Sequence, residues 1–180
     1  MNLSVRKIVI SGILGAISIL LGVTRLGFIP VPTPAGHATI MHIPVILGAV
    51  LEGPVVGLIT GAIFGLFSFL QPGAPFFADP LVSVLPRLFI GPVAYLVYFL
   101  TKRINTILAY ALAGAFGAAT NTVLVMTMAT WRGYLPAEVS ISIGIMHGIP
   151  ELIVAAILTV VLVKGIQRVR PVEEQNSLKK

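Results

Sequence analysis

Cysteine is absent from the chain, and charge is scarce. With no cysteine among 180 residues there can be no disulfide, thiolate metal site or cysteine nucleophile. Charged residues make up 10% of the chain, and only six of them are acidic. A soluble domain carries about 25% charged residues because its surface must face water. This surface is therefore expected to face lipid. The phosphate loop G-x-x-x-x-G-K-[ST] is also missing, and no lysine lies between Lys7 and Lys102, so ATP cannot be held by that route. Neither H-E-x-x-H, G-x-S-x-G nor a carboxylate-rich helix is present, and an enzyme is not expected. The net charge of +6 sits at the ends of apolar segments rather than in one patch, which fits a topogenic role and not nucleic-acid binding.

Hydrophobic residues fill 57% of the chain and fall into six segments, at about 3–24, 37–51, 54–70, 81–100, 107–130 and 139–163. Six spans of ~20 residues use most of this length. The expected fold is an all-α, six-transmembrane-helix bundle, with one membrane domain over residues 1–170 and a polar tail over 171–180. Arg6 and Lys7 before an apolar run resemble a signal peptide, but the small-residue site Ala16-Ile17-Ser18 lies inside the run, so an uncleaved first helix is expected. Glu52-Gly53-Pro54 marks a tight hairpin between segments two and three. Segment two is short for a full crossing, so the hairpin is expected to turn within the inner boundary. Pro30, Pro32 and Pro34 forbid helix and stiffen the first loop.

Placing both termini in the cytoplasm puts nine basic side chains there, namely those at 6, 7, 102, 103, 164, 168, 170, 179 and 180, and leaves Arg25 and Arg132 outside. That asymmetry satisfies the positive-inside rule. The proline-rich loops and the Trp131–Pro136 loop then share the outer face.

Small residues recur at helical spacing. Gly57, Gly61 and Gly65 form one stripe and Ala111, Ala115 and Ala119 another, both suited to packing inside the bundle. The first segment carries Ser11, Gly15, Ser18 and Gly22 on one side, with Gly12 and Ala16 beside them, a surface suited to a partner subunit.

Arg87 and Glu151 are costly within a bilayer, at least ~2.5 kcal/mol each. Their depths, with those of Asn121, His42 and His147, suggest one cavity opening outward. Pro86 and Pro150 precede the two charged residues, and each frees a carbonyl one turn earlier. A simple Arg87–Glu151 pair is the alternative. No metal site and no cofactor are expected.

The stretch Thr39-Ile40-Met41-His42-Ile43-Pro44-Val45-Ile46-Leu47-Gly48-Ala49, with Gly53-Pro54-Val55-Val56-Gly57 and Gly61-Ala62-Ile63-Phe64-Gly65-Leu66, resembles the S components of energy-coupling factor (ECF) vitamin transporters. So do the stretch from Asp79-Pro80 to Pro86-Arg87 and Gly117-Ala118-Ala119-Thr120-Asn121-Thr122. The resemblance covers about residues 5–165. It implies a six-helix protein that binds one vitamin or precursor in an outward cavity, and that joins a membrane scaffold subunit and two cytoplasmic ATPases. The family's alanine-x-x-x-alanine scaffold motif corresponds to Gly12-x-x-x-Ala16, with glycine replacing the first alanine. The Pro30–Pro34 segment corresponds to the family's lid.

Met41-His42-Ile43-Pro44 is most similar to the pantothenate branch. Under that resemblance Arg87 would grip the ligand carboxylate, and Asn121 and His147 would bind hydroxyl and amide groups. Phe76, Phe77 and Trp131 would cover the apolar part. The D-x-S-D-x-P block of riboflavin members is absent, while folate, pyrimidine or pyridoxine derivatives and cobalamin stay open. A solitary proton-coupled carrier using Arg87, Glu151 and His147 and a small membrane enzyme are the competing classes. The expected location is a bacterial or archaeal cell membrane.

Overall fold

A computed structural model describes residues 4–30 and 37–169. Pro32, Pro34 and the polar tail lie outside the described residues, as do the side chains at 29, 30, 37 and 38. Six helical segments follow in order. They are α1 (Val5–Val23), α2 (Ile43–Glu52), α3 (Pro54–Leu70), the pair α4 (Pro80–Ser83) and α5 (Leu85–Thr101), α6 (Thr106–Trp131) and α7 (Ala137–Val169). Four of these segments are long and apolar enough to span a membrane, counting α4 and α5 as one, while α2 and α3 are shorter.

The second segment departs from expectation. It begins not as helix but as a strand, β2 (His37–Thr39), paired antiparallel with β1 (Phe28–Pro30). Helix starts only at Ile43, with Pro44 in its first turn where a missing N–H costs nothing. The resulting α2 is about 15 Å long, half a bilayer core. Nine of its ten residues are buried, so it serves as a central plug. The fourth segment is also broken, at Val84 between α4 and α5.

The glycine stripe on α3 explains how α5 comes so close. A Cβ on Gly57 would lie 2.8 Å from Gly91 Cα, and one on Gly65 would lie 2.9 Å from Val84 Cα. A Cβ on Gly61 would collide with the carbonyl oxygen of Arg87. Each side chain would therefore force the two backbones apart, and glycine lets them touch. On α6 Gly114 and Gly117 also make close approaches: a Cβ on Gly114 would lie 2.5 Å from Ala155 O of α7, and one on Gly117 would lie 2.7 Å from Ile46 of α2.

Helix α7 shows the inversion expected of a lipid-facing bundle. Ile145, Ile149, Ile153, Ile157 and Val161, four residues apart, are all exposed. His147, Glu151, Ala155, Thr159 and Val163, also four apart, are buried. Apolar side chains face outward and polar ones inward.

At one end of the bundle Arg6 bonds Glu52 at 3.2 Å, which sets the start of α1 beside the α2–α3 turn. Gln167 bonds the Tyr110 hydroxyl at 2.8 Å, joining the end of α7 to the start of α6.

Candidate functional site

The polar groups gather where the chain is not helical. Pro86 has no N–H, so the carbonyl of Val82, four residues earlier, lacks its helical donor. Arg87 fills that place: its Nη1 donates to Val82 O at 2.7 Å. The Ser83 hydroxyl donates to the carbonyl of Phe77 and draws the preceding 3-10 turn, Pro75–Ala78, onto the same spot. The guanidinium then lies between two aromatic faces, 4.8 Å from the Phe77 ring centre and 5.4 Å from that of Phe64. It is 3% exposed, and its Nε has no hydrogen-bond partner. Phe64 can reach it because the α3 glycines bring the two helices into contact.

Glu151, buried on α7, is committed elsewhere. Its Oε1 accepts from the backbone N–H of Thr39 at 2.7 Å, and its Oε2 accepts from the Thr122 hydroxyl at 3.0 Å. Arg87 and Glu151 form no ion pair with each other. His147, one turn before Glu151, is buried on the same face. Asn121, next to Thr122 on α6, is buried with no partner for its Oδ1. His42, just before α2, is fully buried, and neither ring nitrogen is paired. An unsatisfied buried polar atom costs about 1–3 kcal/mol, so these groups weigh against stability in the unligated protein.

A cavity of about 680 Å³ opens against Arg87. That size suits a small-molecule site. Its wall includes Thr39, Phe64, Phe77 and Arg87, and Phe28 and Arg25 also border it. Two arginines and no carboxylate line it, so its field favours an anion. Arg25 adopts φ 59°, a left-handed backbone that a non-glycine residue takes at a cost. Asn121, His147 and His42 do not border this cavity. Thr122 and Glu151 are joined to its wall through the Thr39 N–H.

The remaining sequence candidates divide. Phe76 and Phe77, in tilted contact at 4.6 Å, both pack on the cluster of Val82, Val125 and Ala129, and of the two only Phe77 borders the cavity. Trp131, at the end of α6, is 71% exposed and away from the cavity. On α1 the small residues separate onto two faces. Ser11 and Gly15 are buried; a Cβ on Gly15 would lie 2.7 Å from Ile63. Gly12 and Ala16 point outward, and a Cβ on Gly12 would meet nothing within 4 Å. Among the described residues, no group of three histidine or acidic side chains is placed to hold a metal.

Sequence reasoning missed a clamp at the cavity end. Asp79 caps α4 by accepting from Leu81 N at 2.9 Å; its other oxygen accepts from Arg132 Nε at 2.6 Å and from the Tyr134 hydroxyl at 3.3 Å. Those bonds hold the Asp79 carboxyl below the usual carboxylate range and raise Arg132. Asp79-Pro80 signals a helix start, but nothing local names Arg132 as its partner.

Comparison with known proteins agrees with this geometry. The family model described as "ECF transporter, substrate-specific component" matches residues 6–163. The chain is also 30% identical, over 159 aligned residues, to the "Pantothenic acid transporter PanT" of Lactococcus lactis subsp. cremoris (strain MG1363), covering 73% of this chain and 79% of the relative. The matched family is one of transporter components. A polytopic helical bundle with a polar interior and no phosphate loop of its own thus belongs to the substrate-specific components of ECF transporters.

Proposed function

We propose that this chain is the substrate-binding membrane subunit of an ATP-driven ECF importer, and that its ligand is pantothenate. The observation that carries the ligand reading is Arg87. It is a buried cation with one unpaired N–H, framed by Phe64 and Phe77, and without a carboxylate partner. A guanidinium so placed favours a ligand carboxylate, bound by charge-assisted hydrogen bonds. Pantothenate supplies the carboxylate, and its amide and hydroxyls suit the polar groups that Thr39, Ser68 and Gln71 bring to the cavity wall, whereas Asn121 and His147, expected to bind them, do not border it. The similarity to a pantothenic acid transporter supports the same reading.

The basic residues at the Arg6 and Lys164 end favour a cytoplasmic location for both helix termini in a bacterial plasma membrane, with the cavity facing outward. ATP hydrolysis then belongs to two ATPase subunits, joined through a membrane scaffold subunit. The outward face of α1 at Gly12 and Ala16 is suited to that scaffold.

The test is a thermal-shift screen of the purified protein against B vitamins and their precursors, followed by uptake assays in proteoliposomes. Pantothenate should raise the midpoint most, and uptake should require the scaffold and ATPases. Uptake by this chain alone would instead establish a proton-coupled carrier.

A further inference from the structure

We infer that Glu151 is a positioning residue that fastens the β1–β2 ribbon to α7 and thereby sets how long a ligand stays bound. The ribbon is three residues wide on each strand. A two-stranded ribbon of that size does not hold its own position in isolation. It nevertheless supplies Phe28 and Thr39 to the cavity boundary, so something must fix it.

Pairing with the β1 side accounts for Ile40, whose N–H donates to Gly27 O at 2.8 Å. The N–H of Thr39 is taken by Glu151 at 2.7 Å, across 112 residues of sequence. Glu151 lies ~21 Å along α7 from its start, and it meets the Thr39 N–H at a part-buried position on the cavity boundary. Non-helical chain inside a helical bundle keeps one position only where protein groups take up its polar atoms. The carboxylate meets that need, and the Thr122 hydroxyl at 3.0 Å orients it from α6. Both carboxylate oxygens are thus engaged by the chain itself, one on the cavity wall and one on the neighbouring helix. Glu151 therefore acts on the ligand through Thr39, not by touching it.

The inference rests on the ligand reading above only where pantothenate is the probe. The experiment compares Glu151→Ala, Glu151→Gln and Thr122→Val in the full chain, measuring pantothenate association and dissociation together with amide hydrogen exchange at Thr39 in the unligated protein. A glutamine carbonyl still accepts from Thr39, and its amide can donate to Thr122. Glu151→Ala should speed dissociation about tenfold with little change in association, because most affinity changes lie in the off-rate. It should also speed Thr39 exchange by about tenfold or more. Glu151→Gln should stay near wild type in all three readouts, and Thr122→Val should fall between.

If Glu151→Gln loses as much affinity as Glu151→Ala, the charge itself is required and the positioning role is overturned. Unchanged Thr39 exchange in Glu151→Ala overturns it as well. Should Glu151→Ala not fold, Thr122→Val decides by the same exchange measurement: faster exchange supports the fastening and wild-type exchange refutes it. If wild-type protein fails to bind pantothenate, the ligand reading falls, while exchange at Thr39 still judges the fastening by itself.

Discussion

Arg87 and Glu151 share the polar interior without bonding to each other: the guanidinium donates to Val82 O, and the carboxylate accepts from Thr39 and Thr122. Had they paired, the two charges would have cancelled and the cavity would have kept only Arg25 as a cation. Their separation leaves Arg87 desolvated and partly unsatisfied, a state that binding of an anion relieves.

The first prediction concerns that cation. Arg87→Ala should weaken pantothenate binding by about tenfold or more, since charge-assisted contacts to a buried group are among the strong ones. Arg87→Met should lose binding similarly, yet leave the thermal midpoint of the unligated protein equal or higher, because replacing an uncompensated buried charge with an apolar chain removes a desolvation cost. Calorimetric titration and a melt of the same samples check both. Normal affinity in either variant would make Arg87 structural.

The Asp79–Arg132 clamp gives a pH-dependent prediction. The folded carboxyl of Asp79 is held below its ordinary value near 3.9. A depressed carboxyl contributes stability above the unfolded value and loses it as pH falls through the folded one. Asp79→Asn keeps an oxygen for the Leu81 cap but removes the charge pair. The difference in thermal midpoint between wild type and Asp79→Asn should therefore be present at neutral pH and shrink below about pH 4. A constant difference from neutral to acid pH would assign it to the cap or to packing.

Gly61 tests the helix contact that places Phe64 under Arg87. A methyl there meets the backbone carbonyl of Arg87, which has little room to yield. Gly61→Ala should cost roughly 1–3 kcal/mol of stability, in line with overpacking elsewhere, and should weaken ligand binding as well. By contrast, Gly73→Ala meets nothing within 4 Å and should leave the fold unchanged. Denaturation in detergent and ligand titration together check the pair.

The two faces of α1 should respond in opposite ways. Gly12→Leu and Ala16→Leu point outward and should leave folding and pantothenate binding intact, while blocking assembly with the scaffold and ATPases. Gly15→Leu drives a side chain into Ile63 and should destabilise the isolated subunit. Co-purification of the complex, set beside the melting midpoint of the free subunit, separates the two effects.

Much of the fold was legible in order of sequence because its causes are local. Apolar runs must span lipid, and proline and glycine must interrupt helices, so the segment boundaries near Glu52, Leu70, Thr101 and Trp131 fall close to those expected. The start of the second segment was not legible. His37–Thr39 adjoins the apolar run and has no helix breaker of its own, but pairing with Phe28–Pro30 and the Glu151 carboxylate offers its backbone a different set of partners.

By itself the sequence determined the membrane bundle, the charge asymmetry between its ends, the family resemblance and the short roll of polar residues that lipid would not tolerate. Hydropathy and local turn chemistry act over a few residues, so a linear reading captures them. Only the tertiary structure decided which polar groups meet: Arg87 with Phe64 and Phe77, Glu151 with Thr39 and Thr122, and Asp79 with Arg132. It also decided that Gly12 faces outward while Gly15, on a neighbouring stripe, is buried. Hydrogen bonds and close packing depend on where helices cross in space, and residues a hundred positions apart carry no local mark of such a meeting.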